Sequence, residues 1–161
     1  MYIDDCLEGT IKLFGKTHSI PRLEAFFASE KRIYSYSGVD LQTHDFTKEL
    51  LVLKGKIEKI CGEKFNCVLV NLYRNGQDSN GWHADDELAL GKNPIIASLS
   101  LGATRRFDLK HNLTMEKISY NLTHGSLLVM KGAIQHYWKH QIAKTKKVND
   151  PRINLTFRYI Y

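Results

Sequence analysis

Short strand-like runs separated by turn residues fill the chain from residue 67 onward, and they constrain its fold more than any other feature. The runs are shorter than a typical helix and are bounded by turn residues. They span residues 67–73, 95–101, 106–109, 118–122, 126–130, 136–142 and 153–161. Many short strands of this kind are typical of a jelly-roll or a barrel, so we predict a mainly β fold with some α-helix.

One helix is predicted ahead of these strands. Its apolar residues recur at helical spacing, and they are Phe46, Leu50, Leu53, Ile57 and Ile60. We predict that Asp45 caps the N-terminus of this helix and that Gly62 ends it. Because an apolar stripe on a helix packs against a sheet, we assign these side chains to the core and not to a cofactor site.

Length and composition fit a single domain that spans residues 1–161. A chain of 161 residues with 43% hydrophobic residues can bury a sizeable core. It has no apolar stretch near about 18 residues and no N-terminus of the basic-then-apolar kind. We therefore expect an intracellular monomer with no membrane partner, cytoplasmic in a prokaryote or nuclear in a eukaryote. Three cysteines lack metal-site spacing and are interpreted as reduced structural thiols: Cys6, Cys61 and Cys67.

A short motif in the middle of the chain predicts a metal site. In a strand His83 and Asp85 share a face, with Ala84 turned away from it. His136 would add a second imidazole. Two imidazoles and one carboxylate with open positions are the ligand set of non-haem Fe(II) oxygenases, so we predict that these three residues bind Fe(II). The remaining histidines are expected to be structural or solvated: His18, His44, His111, His124 and His140.

The last strand-like run has one polar and one apolar face. Its apolar positions are Ile153, Leu155, Phe157 and Tyr159, and its polar positions are Arg152, Asn154, Thr156 and Arg158. Two arginines on one face are costly to bury unpaired, and carboxylates are their natural partners. The molecule 2-oxoglutarate carries two carboxylates, and Asp85 offers a third. An exposed edge strand with a solvated face is the alternative.

Several segments together resemble the AlkB family of Fe(II)/2-oxoglutarate dioxygenases. They are NLY (71–73), GWHADDE (81–87), IASLSLG (96–102), HGSLLVM (124–130) and PRINLTFR (151–158). Two more, FGKTHSIPR (14–22) and YSYSG (34–38), are similar to the branch that repairs alkylated DNA, duplex-repair enzymes included. The resemblance runs from about residue 11 to the end. It implies a double-stranded β-helix, or jelly-roll, with at least one covering helix.

The resemblance also implies an activity and its cosubstrate site. The implied reaction is oxidative demethylation of N-alkylated bases of the N1-methyladenine or N3-methylcytosine type in DNA. It would require Fe(II), consume 2-oxoglutarate and O2, and release formaldehyde, succinate and CO2. Arg152 would pair with the distal carboxylate of 2-oxoglutarate, and Arg158 would act beside the metal. The other residues implied to complete the cosubstrate site are Asn71, Tyr73, Asn154 and Thr156.

Nucleotide contacts are implied mainly for a lid and finger region at residues 10–40. The implied substrate-binding residues are Phe14, Arg22, Tyr34, Tyr36, Trp82, Asp86, Glu87, Lys146 and Lys147. The aromatic residues would sandwich a flipped base, while Glu87 would contact its polar edge. Phe14 resembles the finger that fills the gap left in a duplex, although a hairpin-core aromatic is the alternative.

Charge and length leave further alternatives open. The formal net charge of +6 suits a polyanionic partner such as a nucleic acid. The resemblance implies that Lys146 and Lys147 bind backbone phosphates, and the alternative is that they lie in a solvated loop without this role. RNA is kept as a second nucleic-acid partner. Relatives usually carry an additional helix and strand in the place of residues 1–9, and this segment helps support the lid over the nucleotide. We therefore expect the affinity for the nucleic-acid substrate to differ from theirs more than the metal chemistry does. The competing functions are a same-fold dioxygenase acting on RNA, protein or a metabolite, and a non-catalytic nucleic-acid-binding barrel.

Overall fold

The protein consists mainly of antiparallel strands arranged in two large sheets. The computed structural model describes residues 6–13, 16–30, 34–36 and 39–161. In chain order, the helices and strands up to residue 142 are β1 (Leu7–Leu13), β2 (Lys16–Ala28), β3 (Tyr34–Tyr36), β4 (Val39–Leu41), β5 (Thr43–His44), α1 (Lys48–Cys61), β6 (Cys67–Tyr73), β7 (Asn80–His83), β8 (Ile96–Gly102), β9 (Arg105–His111), β10 (Lys117–Leu122), β11 (Leu127–Met130), α2 (Ile134–Tyr137) and β12 (Trp138–Ile142). The last strand is β13 (Arg152–Arg158), and a 3-10 turn spans Leu88–Leu90.

In both large sheets the spatial order of the strands differs from their order in the sequence. The larger sheet has the order β1-β2-β6-β13-β8-β11, with β5 beside β2. The smaller sheet has the order β10-β9-β12-β7, and β3 pairs with β4 separately. Although β1–β2 and β9–β10 are consecutive, the other neighbours in these two orders are distant in sequence, so residues from separate motifs meet in the interior.

Two apolar clusters lie on opposite faces of the larger sheet. The first joins Phe26 and Ile96 of the larger sheet to Phe107 and Ile142 of the smaller one, so it lies between the sheets. The second packs beneath α1 and includes Ala25, Phe27, Leu50, Ile57, Phe65, Val68, Val70, Leu155 and Phe157. The helix therefore covers the outer face of the larger sheet, and the space between the sheets holds the first apolar cluster together with buried polar residues.

Helix α1 lies where the apolar spacing predicts it, but its N-cap differs. The Thr47 hydroxyl oxygen accepts a hydrogen bond from the Leu50 N–H at 3.2 Å. Asp45 lies two residues too early to make this bond, so its prediction as the cap is wrong. Gly62 ends the helix in the left-handed conformation, with φ 71°. Across the described ranges, no helix is both long and apolar enough to cross a membrane.

Strand β13 alternates between two environments, as its sequence pattern predicts. Leu155 and Phe157 are fully buried beneath α1, while Arg152 and Arg158 are only 1% and 2% exposed on the opposite face. The strand is paired on both sides, with β6 and with β8. The alternative of an exposed edge strand with a solvated face is therefore wrong.

The run at residues 136–142 is not one continuous strand. Residues 134–137 form the short helical turn α2, in which the His136 N–H donates to the Ala133 carbonyl oxygen. Strand β12 begins only at Trp138. A helical turn changes the direction of each successive side chain by about 100°, so His136 does not share a face with the residues of β12.

Candidate metal and cosubstrate site

The smaller sheet and its following loop bring two histidines and one carboxylate together. His83 is the last residue of β7, Asp85 follows in the loop, and His140 of β12 is paired directly with His83. One ligand atom from each of the three lies within 4.8 Å of the others. The part of the chain that the structure describes contains no second group of three His, Cys, Asp or Glu residues with this proximity.

The second histidine of the group is His140, and the prediction of His136 was wrong. His136 is exposed on α2, where its ring Nε2–H donates to the Lys92 carbonyl oxygen and, at 3.0 Å, to Asn93 Oδ1. His140 is buried, and its ring centroid lies 4.2 Å from that of His83. The expectation that His140 is merely structural or solvated is corrected accordingly.

A signal for His140 was present in the sequence. Trp138, His140 and Ile142 alternate with the polar residues Lys139 and Gln141, and the structure buries His140 and Ile142 on the interior face. A histidine at an inward position between two apolar residues is a better ligand candidate than one at the start of the run. The missing information was the helical turn that separates His136 from this pattern.

Both histidine rings are held in the neutral form that binds metals. The Gly81 carbonyl oxygen can only accept, so His83 Nδ1 carries a proton and donates to it at 2.7 Å, which leaves Nε2 as an acceptor. Burial lowers the pKa of His83, and burial lowers the pKa of His140 to about 3. Metal binding requires deprotonated imidazole nitrogens, so this state fits a metal site.

Asp85 is held as a carboxylate by Arg158. Its Oδ1 accepts a hydrogen bond from Arg158 Nη2 at 2.9 Å, and both side chains are almost fully buried. Burial alone would raise the pKa of the Asp85 carboxyl, but the Arg158 guanidinium holds it below its ordinary value. The group therefore offers two neutral imidazoles and one anionic carboxylate. This donor set fits Fe(II) with positions left open.

A second buried arginine has donors that nothing in the described chain uses. Arg152 Nη2 donates to Ser100 Oγ at 2.8 Å, while its Nε and Nη1 lack a hydrogen-bond partner among the described residues. The guanidinium lies 5.2 Å from the centroid of the Tyr73 ring. A buried cation with unused donors is costly without an anion. A carboxylate of 2-oxoglutarate would supply the missing acceptors, so these residues fit the cosubstrate.

Polar side chains of β8 and β13 line a cavity beside the metal group. Asn154 Nδ2 donates to Ser98 Oγ at 2.8 Å and to the Leu99 carbonyl oxygen at 3.1 Å. One cavity brings most of the predicted cosubstrate residues together with the metal group, and its lining includes Asn71, Tyr73, His83, Asp85, Ser98, His140, Asn154, Thr156 and Arg158. The serines were not predicted. The alternation of Ile96, Ser98 and Ser100 in β8 marks them as inward-facing polar residues.

The structure describes the surroundings of three predicted nucleotide contacts, Arg22, Trp82 and Glu87. Arg22 is buried and pairs with Glu24 at 2.6 Å, and it donates to Asn71 Oδ1 at 2.8 Å. Trp82 alternates with His83 on β7, and its ring lies 4.7 Å from Lys110 Nζ and outside the lining of the cavity. The assignment of Arg22 and Trp82 as nucleotide contacts stays a prediction. Burial raises the pKa of Glu87, with only partial opposition from Arg158.

The remaining predicted contacts differ in how far the structure describes them. Asp86 is exposed beside the metal group, and Lys146 and Lys147 are exposed in the loop between β12 and β13. Tyr34 and Tyr36 lie on β3, and their assignment to the flipped base stays a prediction. Phe14 lies outside the described residues, so its assignment as a finger stays a prediction.

Comparisons with known proteins agree with this site. A sequence model of the family described as the 2OG-Fe(II) oxygenase superfamily matches residues 13–158. The alpha-ketoglutarate-dependent dioxygenase alkB homolog 3 of Bos taurus is 43% identical over 154 residues, which cover 90% of this chain and 54% of that protein. The DNA oxidative demethylase ALKBH2 of Homo sapiens is 37% identical over 158 residues, which cover 93% and 60%. The chain thus spans little more than half the length of these relatives.

A solved structure supports the fold. It is titled "The structure of OsALKBH1" and superposes with a TM-score of 0.63 at 19% sequence identity, covering 94% of this chain and 80% of that one. At this identity the likeness concerns architecture alone. Together with the two facing sheets and helix α1, it confirms the prediction of a jelly-roll with a covering helix.

Proposed function

The chain belongs to the 2OG-Fe(II) oxygenase superfamily and, within it, to the AlkB family, and on this basis we propose that it demethylates N-alkylated bases in DNA. The proposed reaction consumes 2-oxoglutarate and O2 and releases succinate, CO2 and formaldehyde. The observation that carries the proposal is the grouping of His83, Asp85 and His140 in a fold that also buries Arg152, whose Nε and Nη1 have no hydrogen-bond partner among the described residues. A non-catalytic nucleic-acid-binding barrel has no need of either feature.

Each residue of the site has a defined part in the proposed reaction. His83, Asp85 and His140 would hold Fe(II), which with the cosubstrate and O2 supplies the chemistry that hydroxylates an N-methyl group. Arg158 keeps the Asp85 carboxylate ionised and oriented. Arg152 would bind the distal carboxylate of 2-oxoglutarate. The hydroxymethyl adduct on the base then loses formaldehyde and leaves the unmodified base.

The preference for a damaged base is proposed to come from acidic residues next to the metal group. A base methylated at a ring nitrogen carries positive charge, and Asp86 and Glu87 follow Asp85 directly. Glu87 Oε2 is buried and has no hydrogen-bond partner among the described residues, so it has an acceptor to offer the polar edge of a base. Flipping the nucleotide out of the stack would deliver its methyl group to the metal. Phe14, Tyr34 and Tyr36 are proposed to hold the strand and the flipped base during this step.

The lysine loop, residues 143–151, is proposed to bind backbone phosphates. It is fixed to the 74–79 loop, because the Gly76 N–H donates to the Val148 carbonyl oxygen at 2.7 Å and the Thr145 N–H donates to the Gly76 carbonyl oxygen at 2.8 Å. A Cβ at Gly76 would lie 2.2 Å from the Thr145 carbonyl oxygen, so only glycine fits there. Arg105 adds hydrogen bonds to the carbonyl oxygens of Asn75, Asp78 and Ala143. The loop thus presents its lysines from a fixed backbone.

Formaldehyde release from oligonucleotides is the direct test of the proposed function. We expect release from DNA that carries N1-methyladenine or N3-methylcytosine, and only when Fe(II) and 2-oxoglutarate are both supplied. RNA of the same sequence and duplex DNA are assayed in parallel, with Asp85→Ala as the inactive control. Faster release from RNA would reassign the substrate. Consumption of 2-oxoglutarate without any release from nucleic acid would point to a protein or metabolite substrate, and DNA binding without either reaction would favour the non-catalytic barrel.

Replacement of Lys146 and Lys147 by alanine is expected to weaken DNA binding and its salt dependence. Loss of two phosphate contacts lowers the slope of log K against log salt by about 1.4 to 1.8. Binding titrations over a range of salt concentrations measure this slope. Lys56 and Lys59, which are exposed on α1, provide the matched double-alanine control. Equal slopes for the two double variants would remove the lysine loop from the proposed nucleic-acid surface.

A further inference from the structure

Turn α2 contacts both ends of the metal loop, which we define as residues 84–95. At the start of this loop, the Asp85 N–H donates to Gln135 Oε1 at 3.0 Å. Near its end, Lys92 and Asn93 accept hydrogen bonds from the His136 ring. Adjacent residues of one four-residue turn therefore hold the two ends of the segment that carries the metal-binding carboxylate.

The contact from Gln135 answers a specific need of the Asp85 backbone. Strand β7 ends at His83, so Asp85 lies beyond the hydrogen-bond ladder of the sheet although it is 1% exposed. A buried N–H without a partner costs about 1–3 kcal/mol. Gln135 is itself buried, at 3% exposure, and its Nε2 lies 3.6 Å from Met130 Sδ. The amide oxygen is therefore directed at the Asp85 N–H by the packing around it.

The position of the Asp85 backbone determines where its carboxylate lies. Its side chain is already bonded to Arg158 through Oδ1, so a shift of the backbone would move the carboxylate away from His83 and His140 or break the ion pair. Residues that orient a metal ligand typically contribute about 10- to 100-fold to metal affinity. Gln135 meets this description without touching the metal group itself.

We propose that α2 is a brace for the metal loop and that Gln135 is a positioning residue for Asp85. The inference rests on the proposed metal site but not on the identity of the substrate. His136 supports the same brace from the outside, which gives a structural part to a residue that binds no metal here. The brace links the loop after β7, which carries Asp85, to the start of β12, the strand that carries His140.

Cobalt binding to the purified protein tests this proposal without relying on turnover. Gln135→Met keeps the length of the side chain but removes its acceptor, and Co2+ affinity is expected to fall about 10- to 100-fold. Gln135→Glu keeps an acceptor oxygen and is expected to bind Co2+ more tightly than Gln135→Met. The matched control is Gln77→Met, which makes the same change at an exposed position. Hydrogen exchange of the peptide that contains Asp85 is expected to accelerate only in Gln135→Met.

The outcomes separate a brace from a merely structural side chain. A lower melting temperature of Gln135→Met with unchanged Co2+ affinity and unchanged exchange at Asp85 would overturn the proposal. If Gln135→Met does not fold, the exposed His136→Ala variant provides the test, and unchanged Co2+ affinity there would also overturn it. Asp85→Ala measured alongside shows whether the metal site exists at all, so failure of that site and failure of the brace are distinguishable.

Discussion

His140→Ala is expected to abolish metal binding and turnover, whereas His136→Ala is expected to lower metal affinity measurably, by up to about tenfold. The first substitution removes one of three ligands from a buried group, and the second removes a hydrogen bond on an exposed turn. Titration with Co2+, followed by its absorption spectrum, measures both affinities. The pair is well matched because the same residue type is removed from positions four apart in the sequence.

Turnover provides an independent check of the same assignment. Formaldehyde release should persist in His136→Ala and fall to background in His140→Ala, with both proteins folded as judged by thermal melting. If His136→Ala loses metal and activity while His140→Ala keeps them, the site described here is assembled from the wrong histidine. Equal loss in both variants would instead indicate that the brace and the ligand are equally necessary.

Arg152→Met is expected to weaken 2-oxoglutarate binding by about one to two decades, since a charge-assisted hydrogen-bonded pair contributes about 1.5–3 kcal/mol. Without cosubstrate, the free energy of unfolding of this variant should not fall by the roughly 2–5 kcal/mol typical of a core truncation. The reason is that Arg152 is buried with two nitrogen atoms that have no partner in the described chain, so its charge destabilises the empty site. Calorimetric titration and urea unfolding measure the two quantities.

Arg105→Met is the informative control for this prediction. Arg105 is equally buried but donates to three carbonyl oxygens, so its removal leaves buried acceptors unpaired and should lower stability. Retention of wild-type 2-oxoglutarate affinity in Arg152→Met would contradict the assignment of this arginine to the cosubstrate. A loss of stability as large as that of Arg105→Met would contradict the idea that its charge is uncompensated.

Local sequence patterns were sufficient to predict much of the fold and half of the site. The alternation in β13 predicted which residues face the interior, because a strand has a fixed period of two. The same rule places Trp82 on the opposite face of β7 from His83. It also places Arg22 and Glu24 on one face, because residues two apart on a strand point the same way, and the structure pairs them.

The choice between the two histidines depended on long-range structure. The pairing of β12 with β7 places His140 opposite His83 and joins segments more than fifty residues apart. The local sequence of neither segment predicts this pairing. The α2 turn then separates His136 from the strand that follows it. Only the burial pattern of Trp138, His140 and Ile142 carried local information. The Asp85–Gln135 hydrogen bond, which depends on both features, had no sequence signal.

The hydrogen bonds of Arg105 connect two loops close to Arg152. Its guanidinium lies 5.6 Å from the centroid of the Tyr73 ring, on which Arg152 also lies, and it holds both the 74–79 loop and the lysine loop. On the proposed function, a phosphate backbone bound at the lysines and a carboxylate bound at Arg152 would therefore act on one connected body. Under thermodynamic linkage, any factor by which nucleic acid changes the affinity for 2-oxoglutarate must equal the factor by which 2-oxoglutarate changes the affinity for nucleic acid.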